Sequence, residues 1–228
     1  MNHRSICTAI AAVLVLAPHA RPAEPAYDPL AVPEAEAPEP LDLAVQDERR
    51  DRTIPLRVYR PAGDAPAPVV LFSHGLGGSC KGCSYLGRHW AARGYVAVFL
   101  QHPGSDTAVW KDKPPGERMA AMREAANARN FMRRVRDVPA VLDQLAAWHE
   151  TEDHALAGRL DLERVGMSGH SFGAITTLAV SGQSFGRIVS FTDDRIQAAI
   201  ALSPSPPKRG TPEQAFGEIG RASCRERV

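Results

Sequence analysis

The 228-residue sequence has little of several features that mark specialised classes of protein. Aromatic residues make up 6% of it, so it offers no evident platform for stacking bases. Its 27 basic and 26 acidic residues give a net charge of +1, and this balance gives no support for nucleic-acid binding. What the sequence does have is a 44% share of hydrophobic residues, which suits one globular α/β domain with a substantial core.

The N-terminal region lacks an apolar run long enough to cross a bilayer. The stretch from Thr8 to Ala17 is apolar over roughly ten residues, follows a short basic start and precedes the small residues Ala20 and Ala23. This order is typical of a signal peptide. We therefore expect residues 1–23 to be cleaved, the mature protein to be secreted or periplasmic, and no transmembrane segment to remain. A buried helix or a retained anchor is the alternative.

The remaining chain divides by composition. Residues 24–40 are rich in proline, alanine and glutamate, a composition that buries little surface and favours an extended linker. We expect the folded domain over residues 41–219. Residues 220–228 continue no apolar pattern and are interpreted as a tail foreign to the fold, with a genuine polar terminus as the alternative.

Strand patterns alternate with helix patterns along this domain. A leading antiparallel hairpin at a sheet edge is predicted for Leu41–Val45 and Thr53–Tyr59. Apolar runs predict further strands, buried in a parallel sheet, at Pro68–Ser73, Tyr95–Leu100, Arg164–Met167 and Arg195–Leu202. Helices are predicted at Tyr85–Arg93, at Glu117–His149 with Pro139 beginning or kinking its second part, and at Phe172–Ser181. The alternation predicts an α/β fold, with a mostly parallel sheet and helices on both faces.

The central motif is Gly169-His-Ser-Phe-Gly173, between a predicted strand and a predicted helix. A turn of this kind strains the serine backbone and presents its hydroxyl at the carboxyl edge of the sheet. Gly169 and Gly173 leave room for the strand and the helix to approach each other. Ser171 is therefore the candidate nucleophile. The alternative is a glycine turn that merely joins strand to helix.

A glycine-rich loop, His74-Gly-Leu-Gly-Gly78, follows the first buried strand. Attack on a carbonyl needs two N–H groups that bind the developing negative oxygen. Phe172, directly after the serine, is expected to supply one of them. Leu76, between Gly75 and Gly77, is our candidate for the other. A turn without chemistry is the alternative.

Four segments in combination carry a family resemblance. They are His74-Gly-Leu-Gly77, Gln101-His-Pro-Gly-Ser-Asp106, Arg136-Asp-Val138 and Gly169-His-Ser-Phe-Gly173. Over about Leu41 to Ser203 the chain resembles the plasma-type platelet-activating-factor acetylhydrolases and their bacterial relatives, often labelled predicted dienelactone hydrolases.

The resemblance implies an α/β-hydrolase fold, incomplete at the C-terminus. It implies hydrolysis of short-chain or oxidised acyl esters, including acetyl esters of phospholipids, without metal or other cofactor. Ser171 would be the nucleophile, with Leu76 and Phe172 as oxyanion donors. True dienelactone hydrolases use a cysteine nucleophile, so the serine argues against that chemistry.

The sequence also lacks a histidine after Ser171. The triad of this fold runs in the order serine, acid, histidine, whereas the eight histidines lie at positions 3, 19, 74, 89, 102, 149, 154 and 170. His170 adjoins the serine on a sharp turn and should point elsewhere. Asp193 and Asp194 follow the serine but resemble turn residues. We therefore expect the triad acid and histidine to lie outside this sequence.

Cys80 and Cys83 form a C-x-x-C beside the glycine loop. A zinc site would need more ligands, and only Cys7 and Cys224 remain, so we expect no metal. A local disulfide and a pair of free thiols both stay open.

The stretch after the second parallel strand has two further interpretations. Its large apolar residues, which are Trp110, Met119, Met122 and Phe131, either cap the site or pack as part of an ordinary helix on the sheet, and we favour packing. Its arginines, which are Arg129, Arg133, Arg134 and Arg136, either meet anionic head groups or form a solvated helix face, and we favour the solvated face.

Together these patterns predict a serine carboxylic-ester hydrolase that forms an acyl-enzyme on a small-molecule or lipid ester. A cutinase-like or polyester hydrolase on the same scaffold is one alternative. A non-catalytic binding protein of the same fold is another. The missing histidine supports this second alternative, and the elbow serine with its loop opposes it.

Overall fold

The computed structural model describes residues 38–185, 189–205, 211–217 and 219. The expected signal peptide, the linker up to residue 37 and the expected tail at 220–228 lie outside the described residues. The described residues therefore lie almost entirely within the domain expected over residues 41–219.

A mixed sheet organises these residues. Its strands are β1 Leu41–Asp47, β2 Arg52–Tyr59, β3 Ala67–Ser73, β4 Val96–Leu100, β5 Leu160–His170 and β6 Ile196–Leu202. They lie in the order β1-β2-β4-β3-β5-β6. Strands β1 and β2 pair antiparallel, β2 pairs antiparallel with β4, and β4, β3, β5 and β6 run parallel. The predicted edge hairpin and the mostly parallel sheet are both confirmed.

Helices cover both faces of the sheet, because the central strands bury both of theirs. Along β3, Val69 and Leu71 join one core cluster while Val70 and Phe72 join another, as alternation of side chains along a strand requires. The helices are α1 Ser84–Ala92, α2 Pro115–Ala125, α3 Ala128–Glu150, α4 Phe172–Val180 and α5 Pro212–Phe216. Side chains of α3 and α4 pack in the first cluster, and those of α1 pack in the second.

The helix boundaries correct one prediction. The stretch predicted as helical from Glu117 to His149 is two helices, and the break lies at Asn127 rather than at Pro139. Asn127 adopts extended backbone and its side chain accepts a hydrogen bond from the N–H of Asn130, which starts α3. Pro139 lies inside α3. In the part of the chain that the structure describes, no helix is both long enough and apolar enough to cross a membrane.

Strand β6 also differs from its prediction. Its apolar sequence predicted burial, yet most of its residues are exposed, with Ile200 at 54% and Leu202 at 39%. Within the described ranges β6 pairs with β5 and lies at the edge of the sheet. An edge strand covered on one side leaves apolar side chains in contact with solvent.

Candidate active site

The candidate site lies where the parallel strands end. β3 ends at Ser73, β4 at Leu100 and β5 at His170, and neighbouring parallel strands bring their carboxyl ends to the same edge of the sheet. Ligands in open α/β sheets bind at this edge. The glycine loop follows β3 and the serine turn follows β5, so the two motifs found in the sequence meet there.

Ser171 has the strained backbone that its motif predicted. Its φ of 55° and ψ of −113° lie in a region that residues with a side chain rarely adopt. The residue is exposed, and its N–H donates to the carbonyl oxygen of Leu202 at 2.9 Å. Because α4 begins at Phe172, the N–H of Phe172 belongs to the first turn of the helix and has no acceptor within it. A hydroxyl therefore lies beside an N–H that has no acceptor among the residues described.

The turn requires its two glycines for reasons of space. A Cβ on Gly173 would collide with the carbonyl oxygen of Ser73, which lies in the neighbouring strand. A Cβ on Gly169 would collide with the carbonyl oxygen of Gly173. The serine is thus held against the end of β3 by an approach that admits no side chain at either position.

The glycine loop lies directly beside the serine. A Cβ built on Gly75 would be 3.6 Å from the Cβ of Ser171. The N–H groups of Gly77 and Gly78 donate to Ser105 and Gly75 carbonyl oxygens, at 2.9 and 3.1 Å. Within the described ranges, the N–H of Leu76 has no protein acceptor. It is therefore available to a ligand at the serine.

A cavity of about 250 Å³ adjoins the loop. It is lined by Phe72, residues 74–79, Gly82, Cys83 and His170. Cys83 is exposed and Cys80 is buried, and both are free thiols in the structure. Among the residues described, no group of three or more histidine, cysteine or acidic side chains could hold a metal ion.

A second serine lies beneath this site and was missed in the sequence. Ser73 Oγ is 2.9 Å from His102 Nε2, and His102 Nδ1 is 2.9 Å from Asp137 Oδ2. None of the three side chains is accessible to solvent. Two signals could have found the group: polar residues at the ends of two buried strands, and an aspartate beside the apolar face of a helix.

Charge in this buried group is distributed as in a catalytic triad. Burial lowers the pKa of His102 to about 4, so the ring is neutral at pH 7. Burial alone would raise the pKa of Asp137, but hydrogen bonds from His102 and Arg52 hold it at about 2. The neutral ring therefore donates a hydrogen bond from Nδ1 to the carboxylate, and its Nε2 accepts a hydrogen bond from the Ser73 hydroxyl. With no solvent access, however, no substrate carbonyl can reach Ser73.

Three other histidines that precede Ser171 are bonded within the scaffold. His74 has Nδ1 2.6 Å from the carbonyl oxygen of Gly75, and its Nε2 accepts the N–H of His102 at 3.1 Å. Burial lowers the pKa of His74 to about 2. His149 and His154 each accept a backbone N–H through Nδ1, at 3.2 Å.

The stretch after β4 contacts the glycine loop. The indole N–H of Trp110 donates to the carbonyl oxygen of Gly77 at 2.8 Å, and a Cβ on Gly77 would be 2.6 Å from Met122 Sδ. Met119 is 55% exposed, and Phe131 packs on two other phenylalanine rings. Trp110 and Met122 thus cover the loop.

The arginines of α3 correct the prediction of a solvated face. Arg129, Arg133 and Arg136 are exposed, but Arg134 is completely buried. The reason is that Arg134 lies below the carboxyl edge of the sheet, where backbone carbonyl oxygens of the glycine loop accept its hydrogen bonds.

Residues 57–204 match the family model described as platelet-activating factor acetylhydrolase, isoform II. The chain is 24% identical over 160 residues to a platelet-activating factor acetylhydrolase of Cavia porcellus, in a match that covers 60% of this chain and 35% of that protein. The match thus spans about a third of the length of this relative.

Solved structures share the fold. One, described as a candidate dienelactone hydrolase of Klebsiella pneumoniae, has a TM-score of 0.54 at 15% identity and covers 80% of this chain and 68% of its own. A ferulic acid esterase from Streptomyces cinnamoneus has a TM-score of 0.50 at 20% identity and covers 79% and 64%. The predicted α/β-hydrolase fold is confirmed.

Proposed function

The chain belongs to the family of platelet-activating factor acetylhydrolase, isoform II, and from that premise we propose that it is a serine carboxylic-ester hydrolase acting on short-chain or acetyl esters. The observation that carries the proposal is the strained, exposed Ser171 beside two unengaged N–H groups, those of Leu76 and Phe172. A binding protein would have no need for a serine held in this conformation next to such donors.

In the proposed reaction, Ser171 Oγ attacks the carbonyl carbon of the ester and its proton passes to a general base. The carbonyl oxygen takes up negative charge and receives hydrogen bonds from Leu76 and Phe172. Cleavage of the ester C–O bond releases the alcohol and leaves the acyl group on Ser171, and water then releases the acid. We assign the base and its acid partner to no residue of this sequence, because no histidine follows Ser171.

The cavity beside the loop supports a small acyl group. Its volume is about 250 Å³, and its lining combines four glycines and the side chains of Phe72 and Leu76 with the polar residues His74, Ser79 and His170 and with Cys83. A cavity of this size suits a short acyl chain, whereas the alcohol part of the ester would extend from the exposed face of Ser171 toward solvent. A phospholipid-type acetyl ester fits this division. The apolar run at Thr8–Ala17 supports a secreted or periplasmic location.

Replacement of the two serines tests the proposal. In the full-length protein, Ser171→Ala should lower turnover of p-nitrophenyl acetate by about 10⁶-fold, because it removes the nucleophile. The matched Ser73→Ala should keep turnover within about tenfold, since Ser73 only orients buried groups. Among esters of one alcohol, acetate should be cleaved faster than decanoate. Unchanged hydrolysis by the Ser171→Ala variant would refute the assignment, and a wild-type protein that binds esters without cleaving them would favour the binding-protein alternative.

A further inference from the structure

Arg134 is a buried cation that the proposed reaction does not use. It is the largest of the fully buried side chains among the residues described, with 0% of its surface exposed. Burial lowers its pKa to about 9, so the guanidinium is charged at neutral pH. A buried charge of this kind is costly unless its hydrogen bonds are satisfied, and the position of its partners therefore indicates its role.

Two of its hydrogen-bond partners are backbone oxygens of the glycine loop. Nη1 donates to the carbonyl oxygen of His74 at 2.6 Å, and Nη2 donates to that of Gly75 at 3.4 Å. The Gly75 oxygen also accepts the N–H of Gly78 at 3.1 Å. In a planar trans peptide the C=O and the following N–H point in opposite directions. His74 Nδ1 lies 2.6 Å from the same oxygen, so Arg134 is one of three donors that hold it inward. With the Gly75 oxygen held inward, the N–H of Leu76 turns outward.

The same guanidinium also reaches the second proposed donor. Its Cζ lies 4.5 Å from the ring centre of Phe172, a cation–π arrangement. On its other edge, Nε donates to Ser105 Oγ at 2.8 Å and Nη2 to the Ser105 carbonyl oxygen at 3.3 Å. Arg134 thus contacts the ring of Phe172 and the carbonyl oxygen of Gly75, which belongs to the same peptide group as the N–H of Leu76, and Ser105 fixes the guanidinium.

We propose that Arg134 is a positioning residue for the oxyanion hole, holding the N–H groups of Leu76 and Phe172 at a fixed separation beside Ser171. The inference rests on the proposed function and adds to it a group that never touches substrate. A guanidinium is suited to this role because its rigid fork bonds several oxygens at once, which a lysine ammonium cannot reproduce. Its positive charge below the loop also favours negative charge on the ester oxygen.

Arg52 offers a matched control. It is also largely buried, with 10% of its side chain exposed, and it bonds Asp137 through Nε at 2.7 Å and Nη2 at 2.8 Å. Among the residues described, its other bond goes to the carbonyl oxygen of Pro103 at 3.1 Å, not to the glycine loop. Its replacement disturbs the same interior without releasing the loop.

The experiment compares Arg134→Lys and Arg134→Met with Arg52→Lys and Arg52→Met in the full-length protein. We expect the Arg134 variants to lose about 10²-fold in kcat, as for a displaced oxyanion donor, with KM unchanged. Affinity for a trifluoromethyl ketone inhibitor, which forms a tetrahedral adduct, should fall by the same factor as kcat/KM. The Arg52 variants should keep kcat even where their thermal stability falls equally.

A wild-type kcat in Arg134→Lys, a loss matched by Arg52→Lys, or unchanged inhibitor affinity beside a lowered kcat would overturn the inference. If the Arg134 variants do not fold, Ser105→Ala decides instead. It removes the hydroxyl that fixes Nε, so it should lower kcat by about tenfold without changing KM, and a wild-type kcat there would overturn the inference. Ser171→Ala separates the two proposals. If turnover is unchanged in Ser171→Ala, both proposals are overturned. If turnover is lost in Ser171→Ala but unchanged in the Arg134 and Ser105 variants, only the present inference is overturned.

Discussion

Two serines lie at the end of adjacent strands and differ in every property that matters for catalysis. Ser73 has a histidine and an aspartate in a hydrogen-bonded series, yet it is sealed from solvent. Ser171 has no such partners among the described residues, yet it is exposed on a strained turn beside unengaged N–H groups. The contrast shows that a serine–histidine–aspartate series does not by itself mark an active site. Access for the substrate and donors for its oxygen distinguish the two.

The buried group has a structural role that its contacts explain. Asp137 on α3 bonds His102 after β4 and also Arg50 and Arg52 near the start of β2. His102 in turn bonds Ser73 at the end of β3. A satisfied polar network of this kind specifies how a helix and several strands meet, and the site above inherits that geometry.

The largest effect on stability is expected from removing the charge of Asp137, which lies at the centre of the buried group of Ser73, His102 and Asp137 (the buried centre). Among the described residues, Asp137→Asn leaves Arg52 without a carboxylate partner, whereas Arg50 keeps its ion pair with Asp47. Breaking a buried ion pair in this way typically costs about 3–5 kcal/mol of unfolding free energy. Asp143→Asn is the matched control on the same helix. Its carboxylate is 73% exposed where it meets Arg195, and the loss should stay below about 1 kcal/mol. Urea denaturation measures both. Equal losses would contradict the contrast between the buried centre and the surface.

A smaller effect is expected from pH. Burial lowers the pKa of His102 to about 4 and that of His74 to about 2, whereas an unfolded histidine titrates near 6.5. Between pH 6.5 and 4 the unfolded chain therefore binds more protons, and stability falls as the pH falls. Each histidine contributes up to about 1.4 kcal/mol per pH unit.

Urea titrations from pH 7.5 to 4.5 test this dependence. His102→Asn should make the decline of the unfolding free energy shallower by about one proton. The reason is that the wild-type chain binds a proton at His102 only when unfolded, and the variant lacks that group. Asp137 contributes to the unfolding free energy over a different pH range. Its pKa of about 2 means that its share of stability is lost only as the pH falls from about 4 toward 2. A slope that His102→Asn leaves unchanged would refute the assignment of the acid sensitivity to this ring.

The site at Ser171 could be predicted from the sequence because its signals are local. Ser171 and its glycines occupy five consecutive residues, and the loop of Leu76 directly follows an apolar strand. The buried polar residues were missed because, although single positions carried a signal, their contacts join distant parts of the chain. Arg134 bonds His74 across 60 residues, and His102 bonds Asp137 across 35. Charge on α3 looked like a solvated face until the packing placed Arg134 and Asp137 inward.

The fold shows the same division. The hairpin, the alternation of strands and helices and the order of the motifs all followed from patterns along the chain. The break between the helices at Asn127 was missed because the helical pattern continues across it, although an asparagine is a common N-cap residue. The short helix α5 was not predicted, although Thr211 and Gln214 form a capping box. The exposure of β6 depends on which strands flank it, and its apolar sequence does not contain that information.

Covalent labelling decides most directly which serine is the nucleophile. The full-length protein is treated with a fluorophosphonate, which reacts with an activated and accessible serine, and the adduct is located by peptide mass spectrometry. We expect the phosphonyl group on Ser171, none on Ser73, and loss of labelling in Ser171→Ala but not in Ser73→Ala. An adduct on Ser73, or labelling that persists undiminished in Ser171→Ala, would contradict the assignment of Ser171 as the catalytic serine.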